Sequence, residues 1–108
     1  MELELHVDGL AEEVVDAVAD VALVDLATPD APGGGTVTSA AFVLAPDRAV
    51  VRIAVQPPAP ADAYEPGVVV RVRGRTGSGG RVSFLNTSST PLPARPDGPV
   101  RVALQRIT

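Results

Sequence analysis

The sequence contains no cysteine, no lysine and no tryptophan, and among its 108 residues has one histidine and three aromatics. Without cysteine, neither a disulfide framework nor a thiolate metal site can form. With His6 as the only histidine, a histidine-based triad has a single possible base. That base shares the outer face of its segment with Glu2 and Glu4, so it reads as a solvated surface residue. A metal site of His6 with Glu4 and Asp8 has the i, i+2 spacing of one strand face. It lacks a second histidine or cysteine, and no metal, cofactor or catalytic set is expected. Phe42, Tyr64 and Phe84 are too few to stack bases or to build a sugar platform, which disfavours nucleic acid and carbohydrate as ligands. There is no cationic start followed by an apolar run, and no stretch of membrane-spanning length. The expected location is cytoplasmic, without membrane insertion. All nine cations are arginine, which we read as a mark of GC-rich coding.

What the chain does contain is short runs of Val, Ala, Leu and Ile separated by Pro and Gly, which together make up about a fifth of it. That layout suits one all-β domain over residues 1–108 better than a linker. Residues 67–87 carry the clearest signal. Val68, Val70 and Val72 alternate with Val69, Arg71, Arg73 and Arg75, the period-2 pattern of a strand with one buried face. Thr76-Gly77-Ser78-Gly79-Gly80 can reverse the chain, because glycine adopts positive φ at little cost. Residues 81–87 return, with Val82 and Phe84 on one face and Ser83 and Leu85 on the other. The pattern predicts a β-hairpin at the centre of a sheet.

Residues 2–8 alternate in the same way, Leu3, Leu5 and Val7 against Glu2, Glu4, His6 and Asp8. The charged outer face suggests a place near an edge. Residues 10–26 are ambiguous, since Leu10, Val14, Val18 and Val21 have helical spacing. The density of Val favours a strand over 18–26, preceded by a loop or helical turn over 12–16. A loop over 27–35 precedes one strand over 36–44, and Ala45-Pro46-Asp47-Arg48 resembles a type I turn. A strand over 50–55, proline-rich crossings over 56–66 and 88–99, and a last strand over 100–107 complete the chain. These elements imply a seven- to eight-stranded antiparallel β-sandwich of immunoglobulin- or transthyretin-like architecture.

The net charge is −4, unevenly spread: residues 1–30 hold nine acids and no arginine, while every arginine lies from Arg48 onward. Acidic strands lying beside basic ones explain this better than a nucleic-acid surface. On that reading Arg71 and Arg73 pair with Glu2 and Glu4. The runs Gly33-Gly34-Gly35 and Gly77-Ser78-Gly79-Gly80 lack the Gly-Lys-Ser/Thr ending of a phosphate-binding P-loop and read as turns. Glu12, Glu13, Asp16 and Asp20 lack the spacing of a calcium loop and read as a solvated face.

The stretch VADVALVDLATPDAP, then two strands about a proline turn, then PAPADAYEPGVVVRVRGRTGSGGRVSFLNTSSTPL, resembles the YbaY/YscW family of bacterial lipoproteins. The matching positions are Val21, Leu23, Asp25, Ala31 and Pro32, and later Asp62, Arg71, Gly80, Phe84, Asn86 and Thr87. The likeness covers roughly residues 18–92 and lacks the family's lipobox cysteine, so the lipid anchor is not carried over. It implies an envelope-associated, pilotin-like or chaperone-like role in holding an apolar segment of a secretion-channel subunit.

The resulting expectation is a non-catalytic protein-interaction module; the alternative is an accessory or regulatory subunit of an enzyme. The candidate partner-binding residues are Val51, Arg52 and Ile53 on an open edge, together with Arg71, Arg73 and Arg75. The edge over 50–55 is chosen because Arg52 is its only charge and its protection is thin. It could serve a protein partner or self-association, and proline at Ile53 is expected to remove one of its donors.

Overall fold

The computed structural model describes residues 1–26, 32–55, 66–86, 88–92 and 98–107, and every regular element among them is a β-strand. The strands are β1 (Glu2–Val7), β2 (Val14–Asp25), β3 (Pro32–Thr38), β4 (Phe42–Leu44), β5 (Val50–Ala54), β6 (Pro66–Thr76), β7 (Arg81–Leu85), β8 (Thr90–Pro91) and β9 (Val100–Arg106). They form one curled sheet in the order β3-β2-β6-β7-β9-β1-β5, with β4 also on β2 and β8 also on β6. The all-β class agrees with the sequence reading. The purely antiparallel sandwich does not appear: β1 and β9 run parallel, Leu3 against Val100 through Val7 against Leu104, and the mixed sheet curls into a half-barrel.

The core fills the concave side. Alternation puts Leu3, Leu5 and Val7 of β1 inward, with Val68, Val70 and Val72 of β6, Val82 and Phe84 of β7, and Val102 and Leu104 of β9. Period 2 and one buried face account for each of these positions. The hairpin β6–β7 sits mid-sheet, as its pattern predicts. Its turn is closed by Thr76 N–H donating to Gly80 O at 2.8 Å and Gly79 N–H donating to Thr76 O at 2.9 Å. Gly79 has φ 88°, a conformation that glycine adopts without a Cβ clash.

The structure corrects the expectations for residues 10–44. No helical turn lies over 12–16; β2 already begins at Val14. Val15 pairs with Arg75 and Val18 with Arg73, so Asp16 and Ala17 together face Gly74 in a β-bulge. The extra residue shifts the alternation, which buries Val14, Ala17, Ala19 and Val21 and imitates helical spacing. β3 begins at Pro32, inside the expected loop, and the single strand expected over 36–44 divides into β3 and β4. At the break Ser39 Oγ accepts from Ala19 N–H at 2.9 Å, so a side chain continues the ladder on β2. β1 does lie near an edge, as its charged face suggests, one strand in from the terminal strand β5 and covered on its other side by β9. The expectations for residues 27–31 and 56–65, with Asp62 and Tyr64, and for Thr87 and residues 93–97, lie outside the described residues.

One side chain completes the centre of the sheet. β7 covers β6 from Arg71 to Arg75 and β8 covers Gly67 and Val68, and between them the chain leaves the ladder. Asn86 is 5% exposed and fills that gap. Its Oδ1 accepts from Val70 N–H at 3.0 Å, and its Nδ2 donates to Val68 O at 2.9 Å and to Thr90 Oγ1 at 3.1 Å.

Candidate functional site

β5 ends the sheet: among the described residues it pairs with β1 alone. Which of its backbone groups are open follows from the ladder. Val55 N–H donates to Met1 O at 2.8 Å and Val7 N–H donates to Ala49 O at 2.8 Å. The Met1 ammonium donates to Val55 O at 3.0 Å. Hydrogen-bonded pairs recur every second residue in an antiparallel ladder, so Val51 and Ile53 also point their N–H and C=O groups at β1. Those of Val50, Arg52 and Ala54 point away from the sheet. This reverses the expectation for a proline at Ile53. It would break the bond to β1 and remove a side chain only 9% exposed, leaving the outer donors in place.

The side chains of β5 divide accordingly. Ile53 is buried and Val51 half-buried at the rim of the core, while Val50, Arg52 and Ala54 are exposed. Arg52 reaches across to β1, with Nε 3.6 Å from Glu2 Oε1 and Nη2 3.4 Å from Glu4 Oε2. Glu2 and Glu4 are therefore engaged by Arg52, and not by Arg71 and Arg73 as the charge pattern alone suggested. Glu4 also lies 2.5 Å from His6 Nε2. That hydrogen bond, reinforced by the cations of Arg52 and Arg101, holds the Glu4 carboxyl below the usual carboxylate range. Asp8 Oδ1 accepts instead from Gly9 N–H, so His6, Glu4 and Asp8 do not converge. Among the described residues no group of three or more His, Cys, Asp or Glu side chains is arranged to hold a metal ion.

A scan against family models, a search of curated proteins and a search of solved structures return no match. The geometry of the chain itself must therefore carry the functional reading.

The other expected residues form a second, separate surface. Arg71, Arg73 and Arg75 point outward from β6, and β7, β9 and β1 lie between them and β5. The six candidate residues are thus not one site. Arg73 is engaged by the acid of its neighbour strand β2, Nη2 lying 2.9 Å and Nε 3.0 Å from Asp20 Oδ2. Asp20 also accepts from Thr38 Oγ1 at 2.9 Å. Acidic strands do lie beside basic ones, in the order of the sheet. Arg81, across the hairpin from Arg75, joins this surface; its position in the register was available from the sequence, but not the hollow it lines together with Arg73.

Proposed function

We propose that the protein is a non-catalytic interaction module that binds an extended segment of a protein partner by strand addition at β5. The observation that supports this reading is the row of outward N–H and C=O groups at Val50, Arg52 and Ala54 on a terminal strand. Backbone pairing there supplies affinity that does not depend on sequence, and side chains alternating along the added strand supply selectivity. On the inner face the added strand would extend the core past Val51 and Ile53, so apolar residues suit it. On the outer face it would meet Arg52, so acidic or polar residues suit it. A segment alternating apolar and acidic side chains is the ligand that this edge fits. The pilotin-like role implied by the YbaY/YscW resemblance, holding an apolar segment of another chain, is of this kind, as is the sandwich-type packing of a sheet over such a segment.

The test is a displayed-peptide selection on the wild-type protein, with hydrogen exchange on the selected complexes. Arg52 and Ala54 amides should exchange freely in the unbound protein and become protected in the complex. Ala54→Pro removes one outward donor at an exposed position and should abolish binding while the fold survives. Light scattering reports whether a second copy occupies the edge instead. Peptides that bind Ala54→Pro as tightly as wild type, or leave both amides unprotected, would refute the proposal.

A further inference from the structure

The outer face of the β6–β7 hairpin holds an arrangement that sheets generally avoid. Arg75 and Arg81 stand directly opposite each other across the two strands, and like charges so placed repel and destabilise the pair. No carboxylate among the described residues lies within ion-pairing distance of either. Arg73, two residues along β6, is fixed by Asp20 through Nε and Nη2, which orients its guanidinium and leaves other donors unused. These three arginines line an open concavity of about 450 Å³, with Ser83, Val18 and Asp16 among its other walls. The chain as a whole carries a net charge of −4, so three cations converging on one hollow are not a consequence of overall composition.

The hollow has an identifiable cause. The bulge in β2 places two residues opposite Gly74, and a bulge bends its strand out of the regular ladder. Asp16 takes φ 52° there, a left-handed conformation that residues with a Cβ rarely adopt. The backbone is thus held in an uncommon conformation beside an uncompensated pair of arginines. Asp16 forms no ion pair with them and walls the hollow on one side, so an anion would have to enter from the Arg75–Arg81 side.

We propose that Arg75 and Arg81, with Arg73 and the Ser83 hydroxyl, form a binding site for a phosphate group. Guanidinium forks present paired N–H donors that match the oxygens of phosphate, and a dianion between Arg75 and Arg81 converts their repulsion into mutual attraction. None of the described residues lining the hollow is aromatic, which fits a phosphate carried by a small molecule or lipid headgroup better than a stacked nucleic acid. This site is independent of the β5 edge, so either can fail without the other.

Thermal unfolding with inorganic phosphate, against chloride at matched ionic strength, tests the proposal. Chloride screens the arginine pair but cannot bridge it. Phosphate at ten times its Kd should raise the melting temperature by about 5 °C beyond chloride. Arg81→Gln should remove that increment and, by ending the repulsion, should melt in chloride no lower than wild type. Arg101→Gln, on β9, should respond to phosphate as wild type does. Sedimentation with vesicles containing phosphatidic acid separates the sources: pelleting that Arg81→Gln abolishes assigns the phosphate to a lipid, whereas a response to soluble phosphate alone assigns it to a small molecule. If phosphate does no more than chloride and the vesicles pellet nothing, or if Arg81→Gln behaves as wild type in both assays, the proposal is wrong.

Discussion

Replacing Asn86 by Ala tests the claim that a single side chain completes the centre of the sheet. The substitution removes the acceptor for Val70 N–H at 3.0 Å and the donors to Val68 O at 2.9 Å and Thr90 Oγ1 at 3.1 Å. Thr90 is half-buried, and its hydroxyl can turn to water. Val68 and Val70 lie in the middle of β6, both with fully buried side chains, and their freed backbone groups face the space that Asn86 occupied. An unpartnered buried group costs about 1–3 kcal/mol, so two of them imply a loss of about 3–4 kcal/mol. A domain of this size has on the order of 5–15 kcal/mol in total. The urea midpoint should therefore fall by about 2 M, and the Val70 amide should lose most of its protection from exchange. Asn86→Asp sharpens the test. Its carboxylate can still accept from Val70 N–H but sets an oxygen against Val68 O, so at neutral pH it should be at least as damaging as Ala. Protonation restores a donor, and the gap between the Asp and Ala variants should close or reverse in acid. A loss under about 1 kcal/mol for Asn86→Ala, with Val70 still protected, would show that the side chain merely occupies the gap.

Val70→Asp should cost about 4 kcal/mol or more by placing a charge in the core, whereas Arg73→Ser, which loses only the exposed pair with Asp20, should cost under about 1 kcal/mol; urea unfolding of both reads the difference. Glu4, whose folded carboxyl is held low by His6 and then by Arg52 and Arg101, stabilises the fold at pH values above the ordinary glutamate value that it has in the unfolded chain. That contribution is lost as pH falls through the lower folded value, so Glu4→Gln should flatten the acid limb of the stability–pH curve and lessen the salt sensitivity of melting. A Cβ at Gly74 would lie 2.4 Å from Val14 Cγ1 and 3.2 Å from the Val15 carbonyl oxygen. Gly74→Ala should cost about 1–3 kcal/mol, and adding Val14→Ala should recover only part of that loss, because the backbone contact remains.

Where the backbone is regular, the sequence was legible. Alternation along β1 and β6 identified the buried faces residue by residue, and the glycines after Thr76 marked the turn. Reading failed where one residue breaks the period. Asp16 inserts a bulge, and the resulting burial of Val14, Ala17 and Val21 has the 3–4 spacing of a helix. Ser39 interrupts a run that otherwise looks continuous, because its hydroxyl substitutes for backbone on β2. The parallel pairing of β1 with β9 has no local signature, since each strand alternates normally whichever direction its neighbour runs. That omission hid Arg101, which stands beside Glu4 on β9; the ion pair of Glu4 with Arg52 belongs to the β1–β5 register. That β5 ends the sheet among the described residues was legible from its sparse charge. Which of its amides face outward was not, because that depends on register with β1.

The pairing of β1 with β9 also orders events in time. Leu3 meets Val100, so β1 must wait for β9, made almost a hundred residues later, before its second side is covered. β5 can pair with β1 midway through synthesis, and β6 can fold back on β2, but the half-barrel has no complete core until β9 arrives with Val102 and Leu104. During that interval the Leu3–Leu5–Val7 row is exposed beside an unpaired ladder, the arrangement most prone to capture by another nascent chain. The slowest and most aggregation-sensitive step of assembly should therefore be the docking of β9, and a weakened β9 should reduce yield in the cell more than it reduces the stability of molecules that do fold.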